Sequence, residues 1–156
     1  MKKKYSYADL AIIMVLYNQK ISESKTYKTL LRSFQNIALT EHIDLFIYDN
    51  SPVPMPENMA SELDVFNITY TSDVDNPGIT KAYNEGFKWA KSQGLNWILL
   101  LDQDTEMSNN AIEHYVKAIN KENKISVFAP ILLLSNNKIF SPFKQIFRKG
   151  FHPSVV

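Results

Sequence analysis

The run at residues 10–17 (LAIIMVLY) restricts the fold more than any other stretch of the chain. It is apolar without alternation, whereas a strand with one face in water alternates apolar and polar residues. Such a run is typical of a central parallel strand covered by helices on both faces. It is far shorter than the roughly 20 apolar residues of a membrane-spanning helix, and no small-residue cleavage site follows it. The sequence therefore predicts a core strand, no spanning segment and no signal peptide.

The rest of the pattern alternates strands with amphipathic helices. Strands are predicted at residues 10–17, 44–49, 65–71, 97–101 and 126–134, and helices at 24–38, 76–94 and 110–120. This order predicts a three-layer α/β/α sandwich with a mostly parallel sheet, in a single domain spanning residues 1–156. For the second helix, Asn76 is the expected N-cap, Pro77 the first helical residue and Gly94 the exit. Its predicted buried face consists of Ile79, Ala82, Tyr83, Gly86, Phe87 and Ala90.

Two aspartates follow the strand predicted at 97–101. Asp102 and Asp104 flank Gln103, so in an extended segment both carboxylates point to the same side. Ligands of open α/β sheets bind at the carboxyl ends of strands. Carboxylate pairs there hold Mg²⁺ or Mn²⁺ together with phosphate oxygens. A solvated turn is the alternative, and the preceding apolar strand favours the metal site.

Asp49 ends another strand at the same predicted edge. Its carboxylate can accept the imide N–H of a pyrimidine base or a ribose hydroxyl, or it can form an Asx turn with Asn50 and Ser51. The local sequence leaves both possibilities open. The helix opening at residues 76–78 has free N–H groups that can face a ligand, whereas Asn84 is interpreted as part of a solvated helix face.

Composition excludes several classes of function. The net charge of +1 gives no reason to expect nucleic acid as a partner. The absence of cysteine excludes thiolate catalysis and cysteine-ligated zinc.

Four segments together carry a resemblance: VLYN at 15–18, YDNSP at 48–52, NPGITKAYNEGF at 76–87 and NWILLLDQDT at 96–105. In order and spacing they resemble the donor-binding half of the inverting family 2 glycosyltransferases, and the LDQD form is similar to the rhamnosyltransferase branch. The resemblance implies the GT-A fold and a UDP- or dTDP-linked sugar donor, with Mn²⁺ or Mg²⁺ as cofactor. It further implies a saccharide or lipid-linked acceptor in cell-surface polysaccharide synthesis and a cytoplasmic location, with the inner face of the membrane as an open alternative.

The resemblance also implies roles for individual residues. Asp104 would bind the metal directly and Asp102 would lie near the metal and the ribose, while Asp49 would contact the pyrimidine base. The full set of implied donor-binding residues is Leu16, Tyr17, Asn18, Asp49, Asn76, Gly78, Asn84 and Asp102.

Two departures from the family pattern stand out. Gln19 occupies a position where members commonly have proline, which concerns the shape of that loop. The family's catalytic base is an acidic residue well beyond the Asp-x-Asp motif, but after Asp104 this chain has only Glu106, Glu113 and Glu122. The chain therefore resembles a truncated transferase without the acceptor half. We expect it to bind donor and to transfer sugar feebly at most, and its catalytic base is unknown.

Three other classes of protein are alternatives to a glycosyltransferase. A haloacid dehalogenase-like phosphatase needs further aspartates downstream, and none follows Asp104. A nucleotidyltransferase needs a glycine-rich loop after its first strand, and VLYNQKIS has no glycine. A non-catalytic nucleotide-sugar-binding module stays open.

The end of the chain, from residue 123, has no acidic residue and mixes basic residues with phenylalanines. This composition suits either an anionic membrane surface or packing against the missing half, and the second is preferred. Peripheral membrane association and a homo-oligomeric state are left open.

Overall fold

The computed structural model describes residues 4–35, 37–56, 65–122 and 124–130, together with two short strands at 132–133 and 139–140. The strands are β1 (Leu10–Leu16), β2 (Ile43–Asp49), β3 (Phe66–Ser72), β4 (Trp97–Asp102), β5 (Leu132–Leu133) and β6 (Ile139–Phe140). The helices are α1 (Lys25–Phe34), α2 (Ile79–Ser92) and α3 (Ala111–Lys121). Short 3-10 turns precede β1 and α1, at Tyr7–Asp9 and Ile21–Glu23.

The first four strands form one parallel sheet in the order β3-β2-β1-β4. The chain therefore leaves β1 on one side to form β2 and β3, and crosses back to the other side to form β4. This reversal makes the gap between β1 and β4 the topological switch point of the sheet. The predicted fold class, α/β with a mostly parallel sheet of the GT-A type, is confirmed.

Helices cover both faces of β1, and every residue of this strand is buried. On one face, Ile12, Met14 and Leu16 pack in a cluster that includes Leu30 of α1 and Ile112 of α3. On the other face, the buried residues Ile13, Val15, Phe46, Tyr48 and Ala82 form a second cluster, which includes α2. As predicted, β1 lacks alternation of apolar and polar residues because both of its faces are buried.

The start of α2 differs from the prediction. Gly78 is the N-cap, with φ of 88°, and the helix begins at Ile79. Asn76 has φ of 44°, so it forms part of the preceding turn and does not cap the helix. The helix therefore starts two residues later than predicted, after Gly78. Gly94, with φ of 72°, follows the helix end as predicted.

The buried face of α2 is narrower than the sequence predicts. Ala82, Gly86 and Ala90 are buried, whereas Ile79 and Phe87 are 45% and 41% exposed. Small residues bring the helix axis close to the sheet, so that larger side chains at the flanks of the contact extend into solvent. The prediction that Ile79 and Phe87 are core residues was wrong.

Three further features differ from the sequence prediction. Helix α1 is capped by the Ser24 hydroxyl, which accepts a hydrogen bond from the Tyr27 N–H (3.2 Å), and it ends at Phe34 instead of residue 38. Strand β4 was expected to be buried, but only Leu101 is, because β4 is an outer strand of the described sheet. Of the strand predicted at 126–134, residues 126–130 are not in a strand, and β5 pairs with β6 in antiparallel orientation. Pro130 has no N–H to donate to a strand ladder there.

Within the described residues, no helix is long and apolar enough to cross a membrane. Most of the basic and aromatic segment at the end of the chain lies outside the described residues.

Candidate functional site

The predicted site residues converge at the carboxyl edge of the sheet, which we define as the ends of β1, β2 and β4 with the loops that follow them. The parallel registers place Val15 opposite Asp102 and Leu16 opposite Asp49. Tyr17 and the turn after Asp102 therefore lie on either side of the switch point between β1 and β4, where ligands bind in open α/β sheets.

A side-chain amide joins the two sides of the switch point. Oε1 of Gln103 accepts a hydrogen bond from the Tyr17 N–H (2.7 Å), and its Nε2 donates to the Tyr17 carbonyl oxygen (3.2 Å). In the sequence, Gln103 stands out only as the residue between two acids. The contact depends on the register of β1 and β4, which no local sequence pattern reveals.

Residues at the start of α1 form hydrogen bonds to the backbone of the turn that contains Asp102, Gln103 and Asp104. Ser24 Oγ and the Thr26 N–H donate to the Gln103 carbonyl, at 2.8 and 3.2 Å. Thr26 Oγ1 donates to the carbonyl of Asp102 and to that of Thr105 (3.2 Å). Both Ser24 and Thr26 are fully buried. The Asp-x-Asp turn is thus anchored through its backbone, which leaves its carboxylates available.

Asp102 and Asp104 are both exposed. The Tyr83 hydroxyl of α2 donates to Oδ1 of Asp102 (2.9 Å), and burial together with this bond raises the pKa of Tyr83. Among the described residues, none donates a hydrogen bond to the Asp104 carboxylate. The described part of the chain contains no group of three or more metal-ligating side chains. Two hard carboxylates suit Mg²⁺ or Mn²⁺, which keep waters and phosphate oxygens as their other ligands.

Asp49 is fully buried and has its own partners. Oδ1 accepts from the Ser51 N–H (2.9 Å), and Oδ2 accepts from the Met55 N–H (3.2 Å) and from the Tyr70 hydroxyl (2.6 Å). Burial acts to raise the pKa of Asp49, but the hydrogen bonds outweigh it and the pKa lies below its ordinary value. The Asx turn that the sequence left open is therefore present, and the carboxylate is closed to solvent in this conformation.

Asn50, the next residue, is 4% exposed. Its N–H donates to the Leu16 carbonyl (2.9 Å), but among the described residues its Oδ1 has no hydrogen-bond partner. An unsatisfied buried acceptor costs roughly 1–3 kcal/mol, so such a group calls for a ligand or a water. The sequence analysis mentioned Asn50 only as part of a turn, and nothing in the sequence separates it from Asp49.

The structure places the other predicted residues as follows. Leu16 is 1% exposed and packs in the core, so only its backbone can line a nucleotide pocket. Tyr17 and Asn18 are exposed, and the Asn18 N–H donates to Ser51 Oγ (2.7 Å). Asn76 and Gly78 lie in the loop between β3 and α2, which a backbone bond from Asp73 to the Asp49 carbonyl (2.9 Å) joins to the end of β2. Asn84 is exposed on α2.

A cavity of about 560 Å³ opens between α2 and β3. Its lining includes Tyr48, Asp73, Lys81 and Trp89 and none of the predicted donor-binding residues. Asp73 is already bonded to Tyr48 and Lys81. The candidate site therefore depends on polar groups that converge at the carboxyl edge, and not on this cavity.

Two glutamates after Asp104 are engaged in ion pairs. Glu106 bonds to Lys25 (2.7 Å) and Glu113 to Lys117 (2.5 Å). Each hydrogen bond with lysine lowers the pKa of the glutamate. In this conformation both carboxylates therefore have a lysine partner.

The chain is thus an open parallel α/β protein with acidic groups at the switch point, the position where proteins of this class bind their ligands. The sequence profile described as "Glycosyl transferase family 2" matches residues 11–151. The match covers most of the chain, and the chain therefore belongs to glycosyl transferase family 2, whose members use nucleotide-sugar donors and acceptors. No curated protein and no solved structure matches the chain significantly. Family membership decides against the phosphatase alternative.

Proposed function

We propose that the chain binds a UDP- or dTDP-linked sugar at the carboxyl edge, with Mn²⁺ or Mg²⁺ held by Asp104 and Asp102. The reaction is inverting transfer of the sugar, with rhamnose as the first candidate, to a saccharide or lipid-linked acceptor of cell-surface polysaccharide synthesis. The observation that carries this proposal is the pair of exposed carboxylates on a turn fixed at the switch point of the sheet.

In this proposal, some residues of the carboxyl edge bind the cation and others hold those residues in place. A bound divalent cation neutralises the charge of the diphosphate leaving group. Asp104 offers it a carboxylate without a hydrogen bond from any described residue, and Tyr83 holds that of Asp102 in a fixed orientation. The buried bonds from α1 keep the turn in place, so little reorganisation accompanies binding.

The contact to the nucleoside falls to Asn50 in this proposal. Asp49 remains the residue implied by the family resemblance, but its carboxylate already has three donors. The amide oxygen of Asn50 is next to it at the end of β2 and lacks a donor among the described residues. A pyrimidine imide N–H or a ribose hydroxyl would supply one.

Inverting transfer also needs a base to take the proton of the attacking acceptor hydroxyl, a contribution of roughly a hundredfold to ten-thousandfold. Glu106 and Glu113 are each paired with a lysine in this conformation, and we assign the role of base to neither. These observations favour donor binding as the task of the described residues. They equally favour the second candidate, a nucleotide-sugar-binding module without transfer activity.

Calorimetry with UDP and dTDP tests the donor site. In Mn²⁺ or Mg²⁺ we expect binding that a chelator weakens by at least about tenfold. Asp104→Ala should remove this dependence on the cation. Glu41→Ala, which removes an exposed carboxylate before β2 at the opposite edge, should leave it unchanged. Binding that is insensitive to chelator would overturn the metal assignment, and the absence of nucleotide binding would overturn the proposed function.

A further inference from the structure

We propose that Gln103 is a positioning residue that locks the Asp-x-Asp turn to the loop after β1, so that the two sides of the donor site move as one unit. This inference rests on the proposed function for its donor-aligning role. The lock itself rests on two hydrogen bonds between the Gln103 side chain and the backbone of Tyr17, at 2.7 and 3.2 Å.

The lock stands where the strand ladder between β1 and β4 stops. Val15 and Asp102 are the last paired residues of the two strands, and Gln103 and Asp104 then form a turn. Beyond this point the backbone of β4 no longer pairs with the N–H and carbonyl of Tyr17. The primary amide of Gln103 offers one acceptor and one donor, as a peptide group does, and continues the pairing through a side chain.

Glutamine meets both requirements at this position, and three residues of similar size or shape do not. Asparagine has the same amide but is one methylene shorter, glutamate has no donor, and methionine has the length without either hydrogen-bonding group. The chemical identity of the residue between the two aspartates is therefore specified by the backbone of Tyr17.

Gln103 is also held through its own backbone. Its carbonyl oxygen accepts hydrogen bonds from Ser24 Oγ (2.8 Å) and from the Thr26 N–H (3.2 Å). The residue thus connects the loop after β1 to the buried start of α1. Asp104, the candidate metal ligand, follows directly on this anchored residue.

The loop after β1 belongs to the nucleoside side of the proposed site, because the Asn18 N–H bonds to Ser51, next to Asn50. The Asp-x-Asp turn belongs to the diphosphate side. A shared connection aligns the two sides, so that a ligand which holds one side in its binding position also holds the other, and this is a coupling between two subsites. Loss of the lock should reduce that coupling without removing any ligand-binding group.

The test compares Gln103→Met, which keeps the side-chain length, with Gln93→Met, which makes the same change at an exposed residue after α2. Hydrogen exchange of the Tyr17 amide is the readout of the lock. The factor by which Mn²⁺ raises the affinity for UDP, measured by calorimetry, is the readout of the coupling. In Gln103→Met we expect faster exchange and a factor reduced by about tenfold, with neither change in Gln93→Met.

Two results would overturn the proposal. Unchanged exchange of the Tyr17 amide would show that there is no lock. Faster exchange with an unchanged Mn²⁺ factor would reduce Gln103 to a structural role. If the unaltered protein shows no cation-dependent UDP binding, the donor-aligning role fails together with the proposed function. The exchange rate would still decide whether Gln103 holds the loop.

Discussion

Asp49 and Asn50 show how neighbouring polar residues at one strand end acquire opposite roles. The Asp49 carboxylate has three donors, one of which is Tyr70 on β3, whereas the Asn50 amide oxygen has none among the described residues. Both residues are buried. The sequence predicted that this strand end is functional, but it could not distinguish the two residues, because the deciding contact comes from a strand about twenty positions away.

Asp49→Asn should destabilise the fold in a pH-dependent way. The pKa of Asp49 is lowered in the folded state, so its stabilisation is present above the unfolded value of about 3.9 and is lost as the pH falls through the folded pKa. Loss of charge-assisted hydrogen bonds should cost about 1.5–3 kcal/mol at pH 7. Urea unfolding should show that this difference from the unaltered protein shrinks in acid. A difference that stays constant down to pH 3 would show that the charge is not its source, and Glu41→Gln serves as the exposed control.

Asn50→Ala should weaken nucleotide binding while sparing stability. No hydrogen bond from the Oδ1 atom to a described residue is lost and an unsatisfied acceptor is removed, so the free energy of unfolding should not fall. We expect the affinity for UDP to fall by roughly tenfold and that for pyrophosphate with Mn²⁺ to stay the same. Calorimetry with both ligands gives the comparison, and Asn67→Ala, at an exposed position near the amino end of β3, is the matched control. Equal losses for the two ligands would argue against a nucleoside contact.

At the scale of elements, helix α2 owes its position to Gly86. A Cβ atom there would lie 2.6–2.9 Å from three side-chain atoms of Ile13, which is fully buried in β1. The same helix carries Tyr83, which orients Asp102. The close approach of α2 to the sheet therefore connects core packing to the candidate metal site.

Gly86→Ala should destabilise the protein by about 1–3 kcal/mol through overpacking. Chemical denaturation of Gly86→Ala, Ile13→Ala and the double variant measures the interaction. We expect the loss from Gly86→Ala to disappear in the Ile13→Ala background, because the contacting atoms are then absent. A stabilisation of about 0.5–1 kcal/mol by Gly86→Ala, as at a helix position without close neighbours, would contradict this packing.

The sequence predicted those elements whose signal is local. The uninterrupted apolar run of β1, the spacing of α1 and α3 and the exit at Gly94 all correspond to observed elements. The errors arose where tertiary context decides. The turn before α2 replaced the expected cap at Asn76, and the outer position of β4 left Leu100 39% exposed.

At the scale of the whole molecule, the strand order β3-β2-β1-β4 brings residues from four separate segments to one edge. The acids at 102 and 104 and the strand end at 49 were predicted to meet there, and the registers place Asp49 and Asp102 at the ends of the two strands that flank β1. The bonds that fix them, from Gln103 to Tyr17 and from Thr26 to Asp102, could not be predicted. Long-range hydrogen bonds depend on how the layers pack, and no periodicity in the sequence encodes them.

The central claim is that a cation and a nucleoside diphosphate bind together at the carboxyl edge. Mn²⁺ is paramagnetic, so it broadens the NMR signals of nearby amides. With UDP present we expect Mn²⁺ to broaden the amide signals of Tyr17, Asn18, Gln103 and Asp104. The amides of residues at the opposite edge, where the Asn96 N–H bonds to the Asp9 carbonyl (3.2 Å), should stay sharp. Equal broadening at both edges, or broadening at the carboxyl edge that UDP does not increase, would contradict the account.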